Sequence, residues 1–260
     1  MSRMQNNIII DQDLSTPELF LKAMRNIECE GYIKSLRSGP TGIGKTLEEK
    51  LGIHENCIDM PDIGNVELKA ERINSKSLLT LKTKSPEIRG ANQRLANTYG
   101  YKTEESISIN PNLNILHSTL SMNKFNTLNG KPFLKLTLID NRLYLEHSSD
   151  GIIDYAYWET SSLAKAIKKK YPQKKLYYVL ADSKIIDGVE HFHYSKAYFL
   201  EGFDETKLME CVKSGDIKID LRIGMYTSGK KRGKRHDHGT GIRVDINNID
   251  QCFNKRIQIM

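Results

Sequence analysis

The stretch Pro61-Asp62-Ile63-Gly64-Asn65-Val66-Glu67-Leu68-Lys69 carries an acid, four intervening residues, and then an acid and a lysine on alternate positions. Valine, leucine and alternation predict a strand from Val66 to Ala70, and a period of two sets Glu67 and Lys69 on one face while Leu68 turns inward. Gly64-Asn65 suits a tight two-residue turn, which folds Asp62 back beside Glu67. Two carboxylates and the backbone carbonyl of Leu68 make a set of hard oxygen donors that fits Mg²⁺. Such an ion polarises a scissile phosphate and acidifies a bound water, and Lys69 would stand beside that water. Metal-dependent phosphodiester cleavage is the chemistry this spacing suits. The competing reading is a solvated sheet face on which acids and a lysine alternate without function. Context outside the strand has to decide between them.

A chain of 260 residues can bury a substantial core, as one bilobal unit. Lys and Arg number 39 against 32 acids, a net charge of +7 that favours a polyanionic partner, nucleic acid first. Cys29, Cys57, Cys211 and Cys252 are scattered without a C-x-x-C pair, so neither a zinc ribbon nor a disulfide framework is indicated, and a reducing cytoplasm is the expected setting. Near the start only Ile8 to Ile10 form an apolar run, and no stretch approaches membrane-spanning length; neither secretion nor membrane insertion is expected.

Ser15-Thr16-Pro17-Glu18 opens a helix with Leu19, Leu21, Met24 and Ile27 at helical spacing, ending at Gly31. A Gly-rich loop, Ser38 to Gly44, leads into a short helix from Thr46 that Gly52 closes. Ser77 to Thr83 reads as the next strand after the acid hairpin, and Pro86 to Tyr101 as a polar, Arg-bearing loop with a helical turn. Phe133 to Ile139 and Arg142 to Glu146 flank the turn Asp140-Asn141. A basic helix runs from Ser161 to Lys170 and stops before Pro172. Leu176 to Ala181 is an apolar buried strand, and Phe192 to Phe199 alternates more weakly.

Gly39-Pro40-Thr41-Gly42-Ile43-Gly44-Lys45-Thr46 matches the phosphate-binding pattern G-x-x-x-x-G-K-[ST] at every position, and Asp182 could supply the acid of a nucleotide site. That motif needs a buried strand before it and a long helix after it. Here Tyr32 to Ser38 is charged and the following helix is short, which favours a Gly-rich approach that places Glu48.

Lys218 to Ile223 alternates like a strand before Ser228-Gly229-Lys230-Lys231-Arg232-Gly233-Lys234-Arg235-His236-Asp237-His238-Gly239. Ile242, Val244 and Ile246 alternate after it, so the cationic run is the tip of an antiparallel hairpin. Lys230, Lys231 and Arg235 suit phosphates, with a binding strength that falls steeply with salt. Arg222 and Arg243 emerge near the hairpin base, where Arg fits guanine O6 and N7, and His236 and His238 can donate to or accept from base edges. A solvated loop without sequence preference is the plain alternative. His-Asp-His as a metal site lacks further ligands at suitable spacing.

Taken together, Thr41 to Glu48, Pro61-Asp62 to Lys69, Ser77 to Leu81 with Lys84-Ser85-Pro86, Arg89-Gly90-Ala91-Asn92, and Asp220 to Gly224 through His236 to Thr240 resemble the MvaI/BcnI-type restriction endonucleases. The Gly-rich loop, Glu48 and the acid-lysine strand are more distantly similar to the strand-nicking repair enzyme MutH. The resemblance implies an α/β fold with a mixed sheet and flanking helices, and a DNA cleft between a catalytic lobe (about residues 1–160) and a recognition lobe (about 161–260). It sets Asp62, Glu67 and Lys69 on the family's catalytic triad and Glu48 on the helical acid that approaches the metals. Arg222, Tyr226, His236, Asp237, His238 and Arg243 fall on the base-reading segment, and Lys84 to Asn92, including Arg89, would face the other groove. What it implies in function is a Mg²⁺-dependent type II enzyme, acting as a monomer on short C/G-rich pseudopalindromes and nicking the strands in turn. A cognate DNA methyltransferase would be its functional partner. A MutH-like nicking enzyme and a non-catalytic or nucleotide-dependent DNA-binding module are the alternatives.

Overall fold

The computed structural model describes residues 14, 16–53 and 60–260. Ser15, the Ile8 to Ile10 run and Cys57 lie outside the described residues. The chain forms two compact units, each discontinuous in sequence: residues 1–77, 168–203 and 253–260 in the first, 78–167 and 204–252 in the second. This differs from the single division expected near residue 160. The boundary falls inside the helix Thr160–Lys170, whose last turn belongs to the first unit.

The first unit is built on a mixed sheet. Strand Lys175–Ile186 pairs antiparallel with Val189–Glu201 and parallel with the acid-bearing strand Glu67–Arg72. Ile33–Lys34 and Lys255–Gln258 pair with Val189–Glu201. Leu176 to Val179 are all buried, as expected of a strand covered on both faces. Helix Pro17–Cys29 starts at Thr16, whose hydroxyl accepts from the Leu19 amide, and presents Phe20, Ala23, Met24 and Ile27 at helical spacing to the sheet core. Phe20 stacks on Tyr177 at 3.8 Å between ring centroids. The Gly42–Lys50 helix adds Ile43 and Leu47 to that core, and it begins earlier than the expected Thr46.

Leu68 belongs to this core, which confirms the inward turn read from the alternation. Glu67, Lys69 and Glu71 share the opposite face by the strand's period of two. That face is covered at Glu67, which has no exposed side-chain surface, so the picture of a solvated strand does not hold there.

The second unit contains an antiparallel sheet centred on Ile217–Met225. On one side lies Leu116–Leu120; on the other, Arg235–Asp237 and Gly241–Val244 form the return arm of the basic hairpin. Pairing steps from Ile223↔Asp237 to Asp220↔Gly241, so the return arm carries one extra residue and bulges at His238 to Thr240. The arm ends at Val244, because Asp245 accepts from the Asn247 amide and opens a 3-10 turn that contains Ile246. Leu79–Thr83 pairs with Gly241–Val244 and is therefore no neighbour of the acid strand, contrary to the expected order. Within 86–101 the structure has a nine-residue helix, Ala91–Tyr99, where a loop with a helical turn was expected. Only Ala91, Asn92, Leu95 and Ala96 turn inward, too narrow a stripe to dominate a polar stretch. The strands Leu134–Ile139 and Arg142–His147 flank the expected turn, with Asp140 at φ 51°. Among the described residues no helix is long and apolar enough to cross a membrane.

Candidate active site

The Gly64-Asn65 turn closes as its residues predict. Ile63 and Val66 exchange both backbone hydrogen bonds, at 3.0 and 2.8 Å, with Gly64 at φ 56°. This brings Asp62 to the margin of the acid strand, where its Oδ2 accepts from the Leu68 amide at 3.1 Å. In a strand the N–H and C=O of one residue point to the same side, so the Leu68 carbonyl faces that margin too. Among the described residues Glu67–Arg72 pairs only with Lys175–Ile186, which leaves this edge to Asp62.

Two ammonium groups meet the acids. Lys69 donates to Glu67 Oε1. Lys170, from the last turn of the basic helix, stands 2.8 Å from Glu67 Oε2 and 3.6 Å from Asp62 Oδ1, and donates to the Met60 carbonyl at 2.8 Å. Burial pushes the Glu67 carboxyl above the ordinary carboxylate range; Lys69 and Lys170 work against that rise while Asp62 adds to it. For Lys69, burial works to lower the pKa, but Glu67, Asp62 and Glu48 outweigh it and hold the ammonium above its ordinary value. The Glu48 charge thus reaches the cluster from the Gly42–Lys50 helix.

That helix is anchored at its start. Tyr194 donates to the Ile43 carbonyl at 2.7 Å, and Thr46 Oγ1 accepts from the Leu36 amide at 3.1 Å. Arg72 forms a bidentate pair with Glu190, both contacts 2.6 Å, and reaches the Gly39 and Pro40 carbonyls. A Cβ at Gly42 would sit 2.3 Å from the Arg37 carbonyl oxygen, so this glycine serves a close backbone approach. Lys45 lies 3.5 Å from Glu49, and Asp182 accepts from Tyr32 at 2.7 Å. The strand before the loop is only Ile33–Lys34. These groups do not assemble a nucleotide site.

In the second unit the hairpin residues lie close together, but Arg222, Arg235 and Arg243 are held internally. Arg222 donates to the Gly239 and His238 carbonyls at 3.1 and 3.0 Å. Arg243 pairs with Asp220 at 2.6 Å and donates to the Leu78 carbonyl. Arg235 donates to Asn114 O and Asn97 Oδ1. Asp237 accepts from the Gly239 amide and from the side chain of buried Asn92, each at 2.8 Å. Tyr226 stacks on His236 at 4.0 Å, and His236 meets His238 at 3.8 Å. Lys230 and Lys231 are exposed in the tip, with Lys231 over the Tyr226 ring. Arg89 shares a recess of about 490 Å³ with Asn92, Arg235 and Asp237. Lys84 lies 3.5 Å from Glu87, and its carbonyl accepts from the Trp158 indole at 2.8 Å.

Four residues join these clusters without having been singled out by their spacing. Lys170 joins the acids, and Asn92 and Asp220 orient the hairpin. His117, paired across the sheet from Arg222, would come within 3.1 Å of a Cβ at Gly224. Among the described residues, no group of three or more His, Cys, Asp or Glu side chains is placed to hold a metal. An ion at Asp62 and Glu67 would complete its shell from backbone and water. The donors present fit a hard divalent ion: two carboxylates and a carbonyl, with an ammonium already between the acids.

Comparison with known proteins bears on this geometry. The family model of the MvaI/BcnI restriction endonuclease family matches residues 21–253. A solved complex of restriction endonuclease MvaI with its cognate DNA substrate is 35% identical, with a TM-score of 0.83 over 96% of this chain and all of the other. MvaI in the absence of DNA is 32% identical, with a TM-score of 0.53 over the whole of both chains. No curated protein matches the chain.

Proposed function

The chain belongs to the MvaI/BcnI restriction endonuclease family, and from that membership we propose that it is a Mg²⁺-dependent type II enzyme that hydrolyses phosphodiester bonds within a short C/G-rich pseudopalindrome of double-stranded DNA. It acts as a monomer and nicks the two strands in turn, since one acid-lysine strand supplies one catalytic centre. The observation that carries this reading is Glu67, a carboxylate with no exposed surface, set beside Asp62 and met by two ammonium groups. Burying such a charge costs several kcal/mol unless it is compensated, roughly speaking, and a strand selected for stability alone has no reason to keep it.

In this reading Asp62, Glu67 and the Leu68 carbonyl hold the ion, which supplies charge stabilisation and a more acidic water. Glu48 approaches from its anchored helix. Lys69, held as the ammonium by its acidic neighbours, orients the attacking water and offsets the negative charge that develops on the phosphate. The water oxygen bonds to phosphorus, one ester oxygen departs, and the water's protons pass to solvent and to that oxygen. Lys230, Lys231 and Arg235 hold phosphates. Arg222, Tyr226, His236, Asp237, His238 and Arg243 read bases from a hairpin whose side chains are set beforehand, while Lys84 and Arg89 face the other groove. A DNA methyltransferase protecting the same site in a cytoplasmic host is the functional partner.

The test is digestion of unmethylated plasmid with Mg²⁺, followed by sequencing of the fragment ends. Discrete fragments are expected, abolished by Asp62→Ala and retained by Lys45→Ala. Loss of activity in Lys45→Ala together with ATP hydrolysis would sink the assignment, and nicked circles that never become linear would point to a MutH-like nicking enzyme.

A further inference from the structure

Lys170 is a cation for which the proposed reaction has no use. Its side chain is only 15% exposed, and its ammonium is within hydrogen-bond or ion-pair distance of Glu67 Oε2, Asp62 Oδ1 and the Met60 carbonyl oxygen. The first two oxygens belong to the acids that would hold the ion. Lys69 already compensates the other Glu67 oxygen, so Lys170 is the group that stands between Asp62 and Glu67. Without a positive charge there, two carboxylates, one of them without solvent, would repel each other and destabilise the metal-free site.

We infer that Lys170 is the placeholder of the metal-free site: its ammonium holds Asp62 and Glu67 in position and gives way when a divalent cation enters. The inference rests on the reading of these acids as a metal centre. An ammonium and a divalent ion sharing the same two carboxylates would lie within a few ångströms of each other in a partly dry site, where like-charge repulsion is strong. The four-carbon stem of lysine allows the exchange, because it rotates freely and can carry the charge outward without moving the helix. No proton has to leave Lys170 for this to happen.

A lysine that helps the metal and one that competes with it predict opposite signs. Lys170→Gln keeps a polar side chain, one bond shorter, but carries no charge. The readouts are Ca²⁺ binding by calorimetry and thermal unfolding of the full chain with and without Ca²⁺. Lys170→Gln is expected to melt lower than wild type without Ca²⁺, to gain more from Ca²⁺, and to bind it on the order of tenfold tighter. Lys170→Arg, which keeps the charge, is expected to bind no more tightly than wild type. Equal or weaker Ca²⁺ binding by Lys170→Gln would overturn the placeholder and leave the metal centre standing. If wild type and Asp62→Asn bound Ca²⁺ alike, the metal-centre reading itself would fail and take the placeholder with it.

Discussion

At the acid strand, a carboxylate without solvent is met by two ammonium groups that contact its two oxygens. In the basic hairpin, Arg222 and Arg235 donate to carbonyl oxygens and the side chain of Asn97, and Arg243 is locked to Asp220. The acid cluster concentrates charge that its own packing makes costly, a cost that favours binding a cation. The hairpin instead uses polar contacts to fix the directions of its side chains, and leaves its lysines at the tip outside that scaffold. Charge stored for chemistry and charge fixed for recognition therefore respond differently when a partner is removed.

Glu67→Gln should expose that difference most strongly. Cleavage is expected to fall by about 10³-fold or more, in line with the loss of a preorganised electrostatic group. Stability should move far less. Burial raises the folded-state pKa of Glu67, so its ionised form opposes folding above the unfolded value, and removing the charge relieves that penalty at neutral pH while Lys69 and Lys170 lose a partner. The two effects oppose each other, and the variant is expected to melt close to wild type; a large drop in Tm would show that the acid is a structural element after all.

Arg243→Ala against Lys231→Ala sharpens the comparison inside the hairpin. Arg243 and Asp220 are nearly buried partners, and removing one leaves the other uncompensated, a loss of about 3 kcal/mol. The effect should appear in denaturant unfolding before any DNA is added. Lys231 is exposed at the tip, so its removal should leave unfolding unchanged, weaken DNA binding uniformly across sequences, and lower the salt slope of binding by about one. Equal unfolding curves for the two variants would dissolve the distinction between scaffold and tip.

The parts of this architecture legible in the sequence are those with local causes. The two-residue turn at Gly64-Asn65, the capped helix from Thr16 and the strands around Asp140-Asn141 each depend on residues within one turn or one period. Asp62 and Glu67 came together because that turn is short. Leu79–Thr83 has a strand's pattern, yet nothing in the pattern names Gly241–Val244 as its partner. Lys170 is likewise silent in sequence: one more cation at the end of a basic helix, whose approach to Asp62 depends on how the helix end meets the acid strand. Arg222 and Arg243 were legible as hairpin residues, but their internal partners were not, because Asp220, Gly239 and Leu78 meet them only after the bulged pairing forms.

The smallest expected effect concerns the imidazoles of the hairpin sheet. Burial holds His117 below its ordinary pKa; for His238 burial acts first, with His236, Arg222 and His117 adding to it against the opposing pull of Asp237. A histidine depressed in the folded state binds fewer protons there than in the unfolded chain, so stability rises with pH through the interval from the folded to the unfolded value and is lost as acid protonates the rings. Melting temperature should therefore fall modestly from pH 7 to pH 5. In His117→Asn, which removes one of these imidazoles and one of the charges acting on His238, the fall should be shallower. His238 also lies against His236 at the end of the Tyr226 stack, so a charge gained by His238 falls inside a ring cluster. Acid should thus loosen the hairpin, and a hairpin insensitive to pH in this range would mean that His117 and His238 are held by contacts rather than by their neutrality.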